Sequence, residues 1–310
     1  MITSLQYVAL GIPELKTGVD FYEAFGLQAV ERPDHVAMRC FGREQDQIVL
    51  VETGRKRKLH HFSLGTSEAG LKEIAHRLDS QGIARLDPPY PTAPGGLWFH
   101  DPEGSLVNVQ VAESAPCADA APAPVVNRPG ATPRLAARGC PPFDLQPRPR
   151  RMGHFIVFAK DVIAQSNFYC ETLGFRLSDR IADGYAAFMR TAGDCDHHVL
   201  AMLKSAAPGF HHASFEMPGI DEAEVAATRL FAKGYRHAWG PGRHGVGSNY
   251  FHYFRDPWNG MAEYFHDMDY IPEKSAWEPQ EWTKQNGMFL WSADGKPPAD
   301  FGQNYELENL

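Results

Sequence analysis

The sequence lacks any long apolar run and any extended basic run. No stretch of about 18 uninterrupted apolar residues occurs, so we expect no helix that crosses a membrane. The stretch MITSLQYVALGIPEL (1–15) has no basic segment followed by an apolar core, so we expect no signal peptide. Lys and Arg number 30 against 38 Asp and Glu, a formal net charge of −8. Nucleic acid is not an expected partner, because binding phosphates requires clustered positive charge.

Cysteine is also scarce, and the five cysteines include no Cys-x-x-Cys pair. An odd, scattered set of this kind argues against a disulfide framework, so we expect reduced thiols in a cytoplasmic protein. No basic run is longer than the tetrad RKRK at 55–58. We expect this tetrad to form a solvated turn between two strands.

The chain of 310 residues, of which 43% are apolar, is long enough for two domains with cores of their own. Residues 113–150 are rich in Ala, Pro and Arg, a composition that cannot form a core, and they are predicted to be a linker. This linker separates an N-terminal domain, 1–112, from a second domain, 151–270. Residues 271–310 form a tail rich in Trp and Pro, and we expect the tail to pack on the second domain.

The most informative feature is an internal repeat between the two halves. Each half contains the same unit twice. The unit is a strand-like alternation, an amphipathic helix and a glycine at which the helix ends. An Asp-Pro turn containing glycine then leads into a further strand. The matching segments are 5–27 and 152–175, 59–83 and 210–235, and 100–111 and 255–265. The repeat predicts an α+β fold in which each domain contains two βαβββ modules and its mixed sheet curls around a pocket.

Differences between the aligned halves indicate which residues are functional, because repeats of one fold share their structural residues. The aligned pairs are Tyr7 and His154, His61 and His212, and Asn108 and Glu263. Two histidines and one carboxylate from three separate strands form a set that suits Fe(II) with open coordination positions. The first half lacks two of these three ligands, and we expect it to hold no metal.

Glu263 lies among apolar residues of a strand-like run, where an ionised carboxylate is costly to bury unless something positive meets it. A divalent metal ion would offset that cost and keep the carboxylate ionised. The alternative is that His154 and His212 are ordinary strand histidines and that Glu263 points to solvent. The coincidence of all three at equivalent positions of one half favours the metal site.

Five motifs of the second half belong together. They are GHF (153–155), DHHVLAM (196–202), FHHASFE (210–216), GRHG (242–245) and Y-F-R-D-P-x-x-G-x-x-E (253–263). With these motifs, the sequence resembles the type I extradiol catechol dioxygenases of the vicinal oxygen chelate superfamily, including members that cleave biphenyl diols. The resemblance covers about residues 1–112 and 150–270. It implies the two-domain vicinal oxygen chelate fold and an enzyme of aromatic-compound degradation that inserts both atoms of O2 into a substituted catechol or hydroxyquinol.

The resemblance also implies the metal and the partners. Fe(II) would be bound by His154, His212 and Glu263, and the same donors also suit Mn(II). The expected partners are an aromatic diol and O2, and homo-oligomers are usual in this family. The ring substituents of the diol, and cleavage proximal or distal to them, stay open.

Four further residues acquire roles from the resemblance. His198 matches the acid–base histidine beside the oxygen site, and His244 matches the histidine that hydrogen-bonds a substrate hydroxylate. Tyr253 matches the tyrosine next to the substrate oxygens, although Tyr250 competes with it for this role. His211 matches a further histidine of the substrate pocket.

Strand alternation predicts that Ile156 and Phe188 line the pocket for the substrate ring. His197 and Cys195 are interpreted as structural residues. The loop after His244 reads GVGSN, whereas many members that cleave biphenyl diols have an Asn-Asp pair there. We expect the glycine-lined loop to admit an additional ring substituent.

Two other functions fit the same modules. One is a metal-dependent isomerase or lyase of the glyoxalase type, and the other is a binding protein without catalytic activity. Isomerases usually build one site from the carboxylates of both modules, and binding proteins typically lack the metal ligands. The identity of the bound metal and oxygen consumption with a catechol would distinguish the three.

Overall fold

A computed structural model gives the fold of the chain. The residues that it describes are 1–116, 125–140, 142 and 144–307. Parts of the expected linker (117–124, 141 and 143) and of the expected tail (308–310) lie outside the described residues. Within the described ranges, no helix is long and apolar enough to cross a membrane.

The first sheet contains seven strands, which all come from residues 2–111. They are β1 (Ile2–Ile12), β2 (Gln28–Glu31), β3 (Val36–Arg39), β4 (Asp46–Glu52), β5 (Lys58–Thr66), β6 (Leu97–His100) and β7 (Leu106–Val111). The helices of this half are α1 (Leu15–Ala24) and α2 (Glu68–Ser80). The spatial order β2-β3-β4-β1-β5-β7-β6 places the first strands of the two modules, β1 and β5, side by side and antiparallel.

The second sheet repeats this plan with additional strands from the tail. Its elements, with one small separate strand pair (β11 and β17), are β8 (Met152–Ala159), α3 (Val162–Phe168), a π-helical turn (Tyr169–Leu173), β9 (Arg176–Ile181), β10 (Ala186–Arg190), β11 (Cys195–Asp196), β12 (Leu200–Lys204), β13 (Gly209–Glu216), α4 (Ile220–Ala232), β14 (Arg236–Arg243), β15 (Tyr250–Arg255), β16 (Met261–His266), β17 (Tyr270–Ile271), β18 (Gln280–Trp282), α5 (Lys284–Met288) and β19 (Trp291–Ser292). The order is β18-β9-β10-β12-β8-β13-β16-β15-β14-β19. Both sheets are mixed, which confirms the α+β fold expected from the repeat.

The ends of the helices follow the local sequence. Ser67 precedes α2 and its side chain accepts a hydrogen bond from the backbone N–H of Gly70, which is an N-cap. Gly26 and Gly174, the glycine stops of the matching segments, have φ angles of 101° and 80°. Only glycine adopts this left-handed region at low cost, so both stops end their helices as the sequence indicates.

The two halves have the same strand register around their centres. The cross-strand rows are Tyr7–Ser63–Asn108 on β1, β5 and β7, and His154–Ser214–Glu263 on β8, β13 and β16. His61 and His212 lie two residues before the serines, on the same face of their strands. The alignment of the halves made from the sequence therefore agrees with the register in three dimensions.

The second module of the first half, which begins with β5, departs from the expected βαβββ pattern. After α2, residues 81–96 form no strand, and only β6 and β7 follow the helix. This segment contains four prolines (Pro88, Pro89, Pro91 and Pro94). Because proline has no N–H to donate to a ladder, such a segment cannot form an inner strand.

The expectation for the RKRK tetrad was wrong for one of its members. Arg57 is only 3% exposed, and its Nε lies 3.2 Å from Oδ2 of Asp256 in the second half. Its Nη1 lies 3.8 Å from Oε1 of Glu306 in the tail. Carboxylates that are distant in sequence therefore offset the burial of this guanidinium. Arg55, in the same tetrad, is exposed.

The tail lies along both edges of the second sheet. Strand β18 pairs with β9, and β19 pairs with β14. The indole N–H groups of Trp277 and Trp282 donate to Ser178 O and to Oδ2 of Asp179. Trp291 remains 45% exposed. The tail thus adds side chains and backbone groups to the sheet that contains the candidate site.

Candidate active site

Three adjacent strands of the second sheet bring the predicted metal ligands together. His154 on β8, His212 on β13 and Glu263 on β16 are all buried. The Nε2 atoms of His154 and His212 lie 3.2 and 3.1 Å from the same carboxylate oxygen, Oε2 of Glu263. The candidate ligand atoms of the three residues all lie within 4.8 Å of one another. This spacing allows one cation to contact all three.

The hydrogen bonding of this group is incomplete. Glu263 Oε1 and His212 Nε2 are buried and have no hydrogen-bond partner. Burial alone would raise the pKa of Glu263, but the adjacent imidazoles of His154, His212 and His244 outweigh it and hold that pKa well below its usual value. Burial lowers the pKa of His212, so this imidazole tends to stay neutral. An ionised carboxylate, a neutral imidazole and unpaired buried atoms fit a divalent cation.

The equivalent place in the first half is occupied by protein hydrogen bonds. The hydroxyl of Tyr7 lies 3.1 Å from Nε2 of His61, and Ser63 Oγ donates to Oδ1 of Asn108 over 2.7 Å. In the second half, Ser214, the counterpart of Ser63, has no hydrogen-bond partner for its hydroxyl. The two halves therefore differ in chemistry at positions where their backbones match.

His198 lies beside the ligand group, on the segment between β11 and β12. Its ring centroid is 4.5 Å from that of His154. Burial, reinforced by the neighbouring His154 and His197, lowers the pKa of His198 well below its usual value. A neutral imidazole next to the ligands is able to accept a proton and to return it.

His244 and Tyr253 lie on the other side of the ligand group. The Nδ1–H of His244 donates to the carbonyl of Met288, and its Nε2 lies 3.0 Å from the hydroxyl of Tyr253. Tyr253 is the direct cross-strand neighbour of Glu263. Burial, together with the charge of Glu263, raises the pKa of Tyr253 well above its usual value. Tyr253 therefore remains a hydrogen-bond donor, and His244 is left with one acceptor nitrogen.

One cavity of about 550 Å³, including its opening, is lined by His154, His198, His212, His244 and Tyr253. Ile156 and Phe188 line it, at the places predicted from strand alternation. Val246, Met288 and Phe301 also line it, and no motif in the sequence indicates that they would. Among the described residues that line the cavity there is no lysine or arginine. The walls away from the ligands are therefore apolar.

His211 lines the same cavity, but both of its ring nitrogens are already engaged. Nδ1 contacts Nδ1 of His212, and Nε2 lies 2.6 Å from the carbonyl oxygen of Phe301. Since an imidazole has only two nitrogens, His211 has none left for a substrate. Its contacts orient the candidate ligand His212 and connect it to the tail.

The loop after His244 contacts both the tail and His198. The N–H of Val246 donates to the carbonyl of Gly287 in the tail over 3.1 Å. Gly247 has a φ of 76°, and a Cβ atom there would lie 3.3 Å from Cε1 of His198. The glycine therefore allows close approach of the loop to His198, and room for an additional ring substituent stays a prediction.

The two tyrosines that competed in sequence are separated in space. The hydroxyl of Tyr250 donates to Glu224 over 2.6 Å, and Tyr250 is not among the residues that line the cavity. Cys195 is half-buried, its Sγ lies 3.9 Å from the carbonyl of Thr191, and burial raises its thiol pKa. The geometry therefore favours Tyr253 for contact with a substrate and gives Cys195 no part in the cavity.

Comparisons with known proteins agree with this architecture. The model of the Glyoxalase/Bleomycin resistance protein/Dioxygenase superfamily matches residues 151–264. Metapyrocatechase 2 of Cupriavidus necator is 32% identical over 305 residues, which cover 98% of this chain and 93% of that protein. The manganese-dependent 2,3-dihydroxybiphenyl 1,2-dioxygenase of Geobacillus genomosp. 3 is 23% identical, over 96% of each chain.

A solved structure shows the same fold. The Mn(II)-bound glyoxalase from Novosphingobium aromaticivorans superposes with a TM-score of 0.77 at 22% identity, over 98% of this chain and 94% of that chain. Paired βαβ-type modules with a buried candidate set of two histidines and one carboxylate are typical of metal-dependent enzymes that act on small molecules. The chain belongs to the glyoxalase, bleomycin resistance protein and dioxygenase superfamily and, within it, to the extradiol dioxygenases.

Proposed function

We propose that this extradiol dioxygenase uses Fe(II), bound by His154, His212 and Glu263, to open the ring of a catechol with an apolar substituent. The observation that carries the proposal is that two members of the incompletely hydrogen-bonded ligand group, His154 and His212, line a cavity whose other walls are largely apolar. His198 flanks this group on one side, and His244 with Tyr253 flanks it on the other. Fe(II) is favoured because two imidazoles and one carboxylate leave open positions for two diol oxygens and O2.

The residues around the ligand group have different roles in proton transfer. Bound Fe(II) supplies Lewis acidity toward the two diol oxygens and a redox-active centre for O2. The Nε2 atom of His244 is placed to accept a proton from a diol hydroxyl, because its Nδ1–H is held by Met288. The hydroxyl of Tyr253 donates a hydrogen bond to the resulting oxyanion.

His198 acts at the opposite side of the ligand group. As a buried neutral imidazole, it takes up a proton and returns it while the O–O bond breaks. The ring bond that breaks lies beside the two hydroxyl-bearing carbons, and both oxygen atoms of O2 enter the product. The reaction therefore balances without any other oxidant or reductant.

The cavity also indicates the substrate class. A carboxylate on the ring would be buried without a cationic partner, since the described lining residues include no lysine or arginine. Alkyl or aryl substituents would contact Ile156, Phe188 and Val246 instead. We therefore expect a methylcatechol or dihydroxybiphenyl to react more efficiently than dihydroxyphenylacetate, with hydroxyquinol as a further candidate.

The test is anaerobic reconstitution with Fe(II) or, in parallel, Mn(II), followed by exposure to O2 with this panel of diols. Oxygen uptake and near-visible absorbance would be recorded together. Uptake with a yellow product from the apolar catechols supports the proposal, and the two metals are compared by kcat/KM. Tight metal binding without oxygen uptake on any diol would instead indicate an isomerase.

A further inference from the structure

His198 is connected to a buried carboxylate through a second histidine. Its Nδ1 lies 3.1 Å from Nδ1 of His197, and Nε2 of His197 lies 3.1 Å from Oδ2 of Asp179. His197 is fully buried, and Asp179 is only 3% exposed. Neither residue lines the cavity, so their contacts act on a substrate only through His198.

The direction of these hydrogen bonds follows from the chemistry of the end group. Both carboxylate oxygens of Asp179 accept hydrogen bonds from N–H groups of the tail, so Nε2 of His197 carries a proton and donates to Asp179 as well. A neutral imidazole has a single N–H, and in His197 that N–H is used toward Asp179, so Nδ1 of His197 is the acceptor. Nδ1 of His198 must then be the donor, and the nitrogen of His198 that is left for the cavity is an unprotonated Nε2.

The tail holds the far end of this chain of hydrogen bonds. The indole N–H of Trp282 donates to Oδ2 of Asp179 over 2.9 Å, and the backbone N–H of Gln280 donates to Oδ1 over 2.8 Å. The ring of Trp277 contacts that of His197, with centroids 5.3 Å apart. The carboxylate of Asp179 thus has three donors, which are His197 Nε2–H, the backbone N–H of Gln280 and the indole N–H of Trp282. Together they satisfy this buried group and fix its orientation.

We propose that Asp179 and His197 are positioning residues that hold His198 with its proton on Nδ1 and its Nε2 lone pair toward the substrate. The proposal rests on the proposed function of His198 in the oxygenase reaction. It also gives strand β18 of the tail a role in catalysis, because β18 supplies two of the three donors to Asp179. Loss of either link would leave the ring free to rotate or to change tautomer.

The first experiment compares His197→Phe with His197→Gln in the Fe(II)-loaded enzyme. Phenylalanine keeps a buried ring but offers no hydrogen bond, whereas the amide of glutamine can both accept from His198 and donate to Asp179. We expect His197→Phe to lower kcat about 10- to 100-fold, with metal content and the anaerobic Kd for the catechol unchanged. His197→Gln should recover most of the rate. A merely structural role would predict parallel losses of metal, affinity and rate.

Trp282→Phe provides a milder variant that keeps an aromatic ring on β18 but removes one donor to Asp179. We expect a smaller decrease of kcat than in His197→Phe, again without loss of metal. Near-normal kcat in both variants, in an enzyme whose wild type consumes O2 with a catechol, would overturn the proposal. Absence of oxygen uptake by the wild type would instead overturn the proposed function.

A second measurement depends on neither a variant nor turnover. Long-range ¹H–¹⁵N NMR of the Zn(II)-loaded protein, labelled at histidine, reports which ring nitrogen carries the proton. We expect His198 to be protonated at Nδ1 and His197 at Nε2. Protonation of His198 at Nε2 would reverse the direction of the hydrogen bonds and overturn the proposal.

Discussion

The hydroxyl of Tyr7 lies 3.1 Å from Nε2 of His61, at the place in the first half that corresponds to His154 and His212 in the second. A tyrosine hydroxyl and an imidazole satisfy each other with one hydrogen bond. Two imidazole nitrogens facing one carboxylate oxygen leave other buried atoms without partners. Two differences between the halves, Tyr7 in place of His154 and Asn108 in place of Glu263, therefore distinguish a set of side chains that hydrogen-bond one another from a candidate metal centre.

The first prediction concerns metal stoichiometry. We expect the wild type to bind one divalent cation per chain, and His212→Gln to lose tight binding because a ligand nitrogen is removed. His61→Gln is the matched control at the equivalent position of the first half, and it should retain the full metal content. Metal analysis after dialysis measures both. Equal loss of metal in the two variants would contradict the assignment of the site to the second half.

The second prediction concerns stability at low pH. Burial, with repulsion from His60 and His35, holds the pKa of His61 well below its usual value. The unfolded chain takes up this proton near pH 6.5, whereas the folded protein resists it. The free energy of unfolding should therefore fall as the pH falls below about 6.5, by up to about 1.4 kcal/mol per pH unit for this one residue.

Urea unfolding across this pH range measures the effect. Other buried histidines contribute to the slope in the wild type, so the quantity of interest is the difference from His61→Gln. Glutamine can still bond to Tyr7 but does not titrate, and its slope should be shallower. Identical slopes for the two proteins would show that His61 does not resist protonation in the folded state.

The candidate site was predictable from sequence to the extent that the repeat exposed it. The register in three dimensions places His154, His212 and Glu263 as the alignment of the halves did. His198 and Tyr253 were found only through the family resemblance that the short motifs carry. The residues that were predicted therefore belong either to a short motif or to the internal repeat.

The remaining parts of the site depend on contacts between distant segments. Phe301 and Met288 reach the cavity from the tail, and no periodic pattern in the tail indicates which side chains turn inward. Arg57 lies in a tetrad that looks solvated, and its burial depends on Glu306, which is far away in sequence. Such pairings are set by tertiary packing, which composition and periodicity do not encode.

The third prediction concerns His198. In His198→Gln, we expect bound iron to remain and kcat to fall about 10²- to 10⁴-fold, because an amide does not exchange protons. His76→Gln, on an exposed face of α2, is the control and should keep the wild-type rate. Steady-state oxygen uptake together with iron analysis tests this. A near-normal rate in His198→Gln would exclude an acid–base role.

The fourth prediction concerns the wall that the tail adds to the cavity. The ring of Phe301 lies 4.9 Å from that of His211 and 5.3 Å from that of Tyr253, measured between centroids. Phe301→Ala should enlarge the cavity and raise kcat/KM for dihydroxybiphenyl relative to catechol by about 10-fold. Phe289→Ala removes another tail phenylalanine, which packs on Trp239 outside the cavity lining, and should leave this ratio unchanged. The same change of ratio in both variants would indicate a general loosening of the tail.

The fifth prediction concerns the buried arginine that joins the two halves to the tail. Arg57 lies between Asp256 and Glu306, and its Nη1 also donates to the carbonyl of Phe210 over 3.3 Å. Arg57→Ala leaves both carboxylates buried without a cation, so we expect the free energy of unfolding to fall by about 3–5 kcal/mol. Arg55→Ala, in the same tetrad but exposed, should change it little.

Metal affinity should decrease together with stability in Arg57→Ala, because Phe210 directly precedes the ligand-bearing segment His211–His212. Glu306 holds the same residue from the other side, since its Oε1 accepts the N–H groups of Phe210 and Leu59 over 2.9 Å each. Glu306→Gln keeps this acceptor and should therefore lose less stability than Glu306→Ala. Urea unfolding and metal titration of the four variants test the scheme. An equal free energy of unfolding in Arg57→Ala and Arg55→Ala would show that the buried ion pairs do not stabilise the packing of the two halves.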